Sequence, residues 1–420
     1  MMQQTDSPFS PLLFPASSAR SRPLWLIALL YLAQGMPIGL AFQAYPVLLR
    51  QGGAPLDMIA LVPLASLPWA FKFCWSPLVE NRWLAGVGRR RSWILPMQLL
   101  LAASLAAMAF QPFDAQHAPA LLWLIAVASL ASATQDIATD GLAADVLHGS
   151  GITHANALQV GCFMLGMLLG GPAVLLAVAK VGQQAAMLAL AGAGVLCGVP
   201  VWRWREGRPP MATARHASLR GFFRRPQALR LMVAGMLATL TGSVLFGLAK
   251  LVLVDAGWST NGIAALSGVA NSVMVLAGCV LAAVLMRRLA RWTALLAGLL
   301  VLAGASALWL LIGSDPHGAS TQLVWLATAL IGIGIGVTSV CLYTLLMRHA
   351  QLGDQPATDF SIFQSTQTLG EIVVASAATA LASRAGYGAG MLFGAASALL
   401  AIAMLLWVRR GATALESTDD

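Results

Sequence analysis

Residues 203–227 read RWREGRPPMATARHASLRGFFRRPQ, the longest polar stretch in a chain of 420 residues that is 58% hydrophobic and 10% charged. With a mean hydropathy of +0.77, the chain has too few polar side chains to cover a soluble domain, so lipid is the solvent for most of it. Apolar runs of about 20 residues, the length that crosses ~30 Å of hydrocarbon, recur on both sides of this stretch. Six precede it, at 24–48, 56–79, 92–112, 118–147, 155–179 and 184–203. Six follow, at 229–254, 260–286, 292–312, 321–347, 358–382 and 387–408. The expected fold is an all-α membrane protein with 12 transmembrane helices in two six-helix halves. Its parts are a tail (1–23), a bundle (24–203), a basic linker (204–228), a second bundle (229–408) and a tail (409–420).

The basic residues orient these spans. If the N-terminus is cytoplasmic and the spans alternate, all but five of the 25 Lys and Arg fall in cytoplasmic segments. Arg50, Lys180 and Arg384 lie on the opposite side, and Lys72 and Lys250 lie within spans. That bias places both termini of this inner-membrane-type protein in the cytoplasm. The same clustering argues that the net charge of +9 is a topology signal and not a nucleic-acid face. Cys74, Cys162, Cys197, Cys279 and Cys341 are scattered through apolar runs without ligand spacing and read as small hydrophobes. The first apolar run is too long for a signal h-region, so it is expected to remain as the first span.

A six-plus-six arrangement around a basic central loop is the sequence pattern of the major facilitator architecture. Between spans 2 and 3, SPLVENRWLAGVGRRRSW (76–93) resembles that superfamily's loop signature, with Glu80-Asn81 where Asp is commoner. Glu80, Arg82, Arg89, Arg90 and Arg91, with Asp145 at the end of span 4, are the expected cytoplasmic gate. MRRLARW (286–292), after span 8, reads as an echo of this loop in the second half.

Ionisable groups inside lipid are costly and therefore functional candidates. Lys72 on span 2 and Asp136 and Asp140 on span 4 fall at similar depth, roughly 10–17 Å from the inner ends at 1.5 Å per residue. Asp136 and Asp140 are four residues apart and share a helix face. A Lys72–Asp136–Asp140 charge cluster follows, with Thr134, Gln135 and Thr139 supplying hydrogen bonds. Its carboxylates can serve as proton carriers or as latches for a gate. Glu371 lies near the midplane of span 11 beside Ser361, Gln364, Ser365, Gln367 and Thr368, and joins the coupling residues as a substrate or proton group, the alternative being a neutral structural carboxyl. Lys250 is near an outer end, where it can line the cavity or snorkel with Asp255 as companion. Gln34, Gln43 and Tyr45 on a first span weakened by Gly35, Pro37 and Gly39, with Trp69, Gln159 and Tyr343, complete the expected substrate cavity. His154 reads as a solvated loop histidine.

No GxxxxGK[ST] loop is present, so an ion gradient or the substrate's own gradient must supply the energy, and carboxylates inside the membrane make a proton symporter the default. A membrane-embedded enzyme would need a catalytic constellation that the spans lack, and no cofactor or metal site is expected. PLWLIALLYLAQGMPIGLAF with PVLLRQGG in span 1, PWAFKFCWSPLVENR in span 2 and SATQDIATDGLAADVL in span 4 together resemble the AmpG-type group of the major facilitator superfamily. That group contains muropeptide permeases, acetyl-CoA transporters and siderophore permeases, and the 12-span length with YLAQGMPIGL and PVLLR is most similar to the siderophore permeases of the pyochelin and rhizobactin kind. The resemblance implies a small-molecule substrate, an iron–siderophore chelate imported by alternating access, with Lys72, Asp136 and Asp140 at group motif positions. Uptake of muropeptides, or export of a drug or metabolite, is the alternative. Membrane lipid is the only other partner the sequence implies.

Overall fold

The computed structural model of the chain describes residues 18–59, 61–204, 206 and 216–409, and within them the regular structure is helical throughout. Residues 1–17 and 410–420 of the expected tails, and 205 and 207–215 of the basic linker, lie outside the described residues, and the expected N-terminal tail is helical from Ser18. Among the described residues, ten helices are long and apolar enough to cross a membrane. They include α1 (Leu24–Gln51), α3 (Arg91–Met108), α4 (Ala118–Val146), α5 (Ser150–Val181), α6 (Gln183–Arg203) and α7 (Ala228–Asp255). After them come α8 (Ala265–Arg288), α9 (Arg291–Ser314), α10 (Thr321–Gln351) and a run at Pro356–Arg409. That last run is two helices, α11 (356–385) and α12 (387–409), which meet at Gly386 with φ 83° and ψ 164°. Gly182, between α5 and α6, adopts the same conformation at φ 84° and ψ 163°. Only glycine takes that backbone without strain, and the two positions close the last hairpin of each half.

The twelfth span is α2 (56–81), and it departs from the continuous helix expected over 56–79. It is a chain of short pieces, Leu56–Ile59, Val62–Ser66, Leu67–Phe71, Lys72–Cys74 and Ser76–Asn81. Pro63, Pro68 and Pro77 stand at the start of three of them. A proline has no N–H to give and crowds the carbonyl four residues back, so each one ends the helix before it. The weakness expected in span 1 takes another form: α1 stays helical but widens into a π segment at Leu40–Ala44, just past Pro37 and Gly39. A π segment around Pro172 in α5 packs against it, as π-bulges do where a helix must absorb a misfit.

Bulky apolar side chains such as Trp25, Trp123, Leu196 and Leu300 point outward, as a lipid-facing surface requires. One buried cluster fills the outer part of the N-terminal half around Tyr45, Leu49, Phe113 and Leu121. The other is continuous from Ile137, Leu142 and Ile152 into Phe222, Met347, Phe360 and Phe363. The two halves therefore merge at one end, the end that carries the 82–90 loop, which we call the basic end.

Candidate coupling site and basic-end gate

Helix α4 supplies the centre of the site, and its buried stretch from Ala131 to Ala144 is packed on every side by other helices. The Lys72 ammonium, on the short turn where α2 breaks, pairs with Asp136. Lys72 is 1% exposed and Asp136 2%. A second bond runs from Lys72 Nζ to Gln364 Oε1 on α11, at 2.5 Å. The ring of Trp69 lies 5.1 Å from the same ammonium and stands edge-on to Phe163. Asp140 lies beside this pair, within reach of the Asp136 carboxyl and of the Lys72 charge. Its Oδ1 accepts from Tyr31 Oη of α1 at 2.6 Å and from Gln159 Nε2 of α5 at 3.0 Å. Residues four apart share a face only to within about 40°, enough here to send Asp136 to α2 and Asp140 into the gap between α1 and α5. Gln34 donates to Thr139 Oγ1 at 3.1 Å, and Trp75 donates to Thr134 Oγ1 at 3.1 Å. Gln135 is buried with both amide atoms unpartnered, as is Gln367 on α11.

At the basic end Glu80 is buried and takes Arg89 at 2.6 Å and Arg90 at 2.9 Å on one oxygen. Its other oxygen accepts the backbone N–H of Thr358 at 2.9 Å, in the first turn of α11, where N–H groups lack helical partners. Arg90 reaches on to Asp145 at 2.8 Å. Burial works against the charge on this guanidinium, but Glu80 and Asp145 outweigh it and its pKa is raised. Arg89 is held below its ordinary value by burial and by Arg90, against the pull of Glu80. Gly141 makes room for this arrangement, since a Cβ there would run into the Arg90 guanidinium. Two expected gate residues act otherwise. Arg82 is exposed, and its carbonyl accepts from Trp93; Arg91 donates to the carbonyls of Val87 and Trp202 rather than to a carboxylate.

Several partners at this end carried no sequence signal of their own. The carboxylate of Glu206 accepts the N–H groups of Arg90 at 3.0 Å and Arg91 at 3.2 Å, capping α3. Asn81 exchanges two hydrogen bonds with Ala217, both 2.8 Å. Arg225 pairs with buried Asp359, which also accepts from Gln355 at 2.6 Å. In the second half, then, Arg225, which precedes α7, holds a buried carboxylate. In the 286–292 stretch Arg287 meets His154 at 3.2 Å, so His154 is a contact between halves rather than a free loop side chain. Arg348 donates to the Gly149 carbonyl at 3.1 Å, and Gln351 donates to the carbonyls of Ala144 at 2.7 Å and Leu147 at 2.8 Å. These bonds cap the end of α4 from the opposite half.

Other expected cavity residues are not gathered around Lys72. Tyr45 donates to the Ala118 carbonyl at 2.9 Å and stacks edge-on with Phe113 near the outer end. Gln43 fills the space beside Gly171 at the α1–α5 crossing. Tyr343 is the exception: it packs edge-on against Phe360 and lies near enough to Asp136 and Asp140 to interact with their charge. Lys250 lies 3.8 Å from the Phe246 ring, while Asp255, its expected companion, accepts from Tyr387 at 2.6 Å. Glu371 is half-buried on α11 beside Thr239, with Ser243 donating to its backbone carbonyl at 3.3 Å. It sits two turns from Gln364 and shares no described bond with the Lys72 pair. All five cysteines are free.

Along 92% of its length the chain is 27% identical to the anhydromuropeptide permease of Escherichia coli strain K12, covering 79% of that protein. It is 22% identical to a putative transporter, AmpG 4, of Rickettsia conorii, over 92% of this chain and 96% of that one. Among solved structures, the human organic anion transporter MFSD10 superposes with a TM-score of 0.71 at 16% identity, over 92% of this chain and 99% of that one. A bacterial homologue of the iron transporter ferroportin in an outward-facing state gives 0.70 at 17% identity, over 93% and 99%. At those identities the likeness is one of fold. The family model for the Major Facilitator Superfamily matches residues 25–358. With twelve spans in two halves joined at the basic end, this multi-pass membrane protein belongs to the major facilitator superfamily and is a secondary transporter, not an enzyme.

Proposed function

We propose that the chain is a muropeptide permease of the AmpG kind. It carries cell-wall fragments across a bacterial inner membrane by alternating access, with both termini and the basic end cytoplasmic. The observation that carries this reading is its likeness, along 92% of its length, to the anhydromuropeptide permease. The site chemistry supports it. Amino-sugar peptides present amides, hydroxyls and carboxylates, and the interior offers amide atoms without partners on Gln34, Gln135, Gln159 and Gln367 in addition to the Lys72 ammonium. Buried polar atoms left unpaired in a protein are costly, and a polar ligand satisfies them. The two bundles, 24–203 and 229–408, rock about this site, and the Lys72–Asp136 pair, Asp140 and Glu371 are the candidates for coupling to a proton gradient. An iron–siderophore chelate, the substrate implied by the sequence resemblance, has no support among these relatives and serves as the competing arm of the test.

A strain lacking the gene should lose uptake of radiolabelled anhydro-muropeptide and keep uptake of iron chelates. The reverse result would overturn the assignment in favour of the siderophore. Asp136→Asn should reduce muropeptide uptake at least about tenfold at normal expression, because it leaves the Lys72 charge buried and unpaired. Wild-type uptake in that variant would remove the pair from coupling.

A further inference from the structure

Lys72 has two described polar acceptors, and they belong to different halves. Asp136 is on α4, in the same six-helix half as Lys72, whereas Gln364 is on α11. A rigid-body separation of the basic ends leaves the ion pair whole and carries Gln364 away from the ammonium. Other described bonds between the halves lie nearer the basic end, as with Arg287 and His154, Gln351 and the end of α4, and the buried Asn156 amide with Met347 Sδ at 3.8 Å. The bond to Gln364 lies on the ion pair itself, and all three side chains are buried. A hydrogen bond to a charged group in a low-dielectric interior is strong and strict in direction, so the aim of the ammonium decides whether the amide oxygen is held. Asp136 sets that aim. The other titratable groups near the pair are Asp140 on α4, Tyr31 on α1 and Tyr343 on α10, and Tyr31 is already bonded to Asp140.

We propose that Gln364 is the positioning residue through which the C-terminal half senses the Lys72–Asp136 pair: while Asp136 is charged it holds the basic ends together, and loss of that charge releases them. The inference concerns the transport cycle and not the cargo, so failure of the muropeptide reading would leave it standing.

The test is a distance between spin labels at His148→Cys and Leu352→Cys, exposed sites on either side of the basic end, in full-length protein in lipid nanodiscs without substrate. The five native cysteines are first replaced by serine or alanine. Gln364→Leu is expected to raise the ratio of long to short distances about tenfold, within the range of ordinary coupling between sites. Asp136→Asn should do the same. The double variant should open no further than either alone, because both changes cut one connection. Gln364→Glu, which keeps an acceptor on Lys72, should hold the short distance. If Gln364→Leu does not yield a monodisperse protein, Gln364→Asn, whose carbonyl is one methylene too short to reach Lys72, gives the same readout. A wild-type distance ratio with the acceptor withdrawn, or additive opening in the double variant, would overturn the proposal.

Discussion

Arg90 is a fully buried guanidinium whose planar donors reach two carboxylates at once, Glu80 at 2.9 Å and Asp145 at 2.8 Å. A lysine carries the same charge but ends in a single nitrogen, which cannot span both acceptors. Arg90→Lys should therefore leave one carboxylate short of its partner. Breaking a buried pair in this way costs about 3–5 kcal/mol, so the thermal unfolding midpoint in detergent should fall by several degrees and the basic end should loosen; an unchanged midpoint would show that the loop holds itself without this contact. The resemblance of the 76–93 loop to a family signature was enough to nominate Glu80, Arg89 and Arg90 from sequence. It could not separate them from Arg82 and Arg91, because which arginine in a cluster meets a carboxylate depends on how the loop folds back, and the loop's composition is the same either way.

At the scale of helices, close approach is set by missing side chains. Where α1 crosses α5, a Cβ on Gly35 would strike the Phe163 carbonyl, one on Gly166 the Leu32 carbonyl and one on Gly170 the Met36 carbonyl. Those obstacles are backbone, so no rotamer change relieves them, and small residues at such crossings are what let helices associate in lipid. Gly166→Ala should force α1 and α5 apart and lower the yield of folded protein severalfold in fluorescence-detected size exclusion. Gly192→Ala, on a face of α6 with nothing within 4 Å, is the matched control. It should be neutral or slightly stabilising, by about 0.5–1 kcal/mol. Equal losses in both variants would remove helix contact as the cause. The small residues of GMLLGGP (166–172) mark a face for close helix approach in the sequence, but not its partner helix, since a small-residue face fits any neighbour that comes close enough.

For the whole molecule, the bonds between the halves gather at the basic end and in the interior at Gln364. This is the arrangement of a transporter closed on that side. Gln351 and Ala144 face each other across this closure, so cysteines placed at both, joined by a short bifunctional thiol reagent, should hold it shut. Uptake should then stop and return after cleavage of a reducible linker, while ligand binding from the opposite side persists. Continued uptake after complete cross-linking would mean that the basic end need not open.

The sequence by itself determined the membrane, the twelve spans, the halves and the superfamily, because hydrocarbon thickness and the cost of charge in lipid act on composition and spacing, which are linear in the chain. It also nominated Lys72, Asp136 and Asp140, since any charge inside a span stands out. Only the tertiary structure decided their partners: Gln364, nearly 300 residues from Lys72, and Tyr31 and Gln159 on either side of Asp140. Glutamine and tyrosine are unremarkable within a span, and a hydrogen bond acts over about 3 Å. No spacing along the chain encodes which of them will lie within that reach once the two halves have packed together.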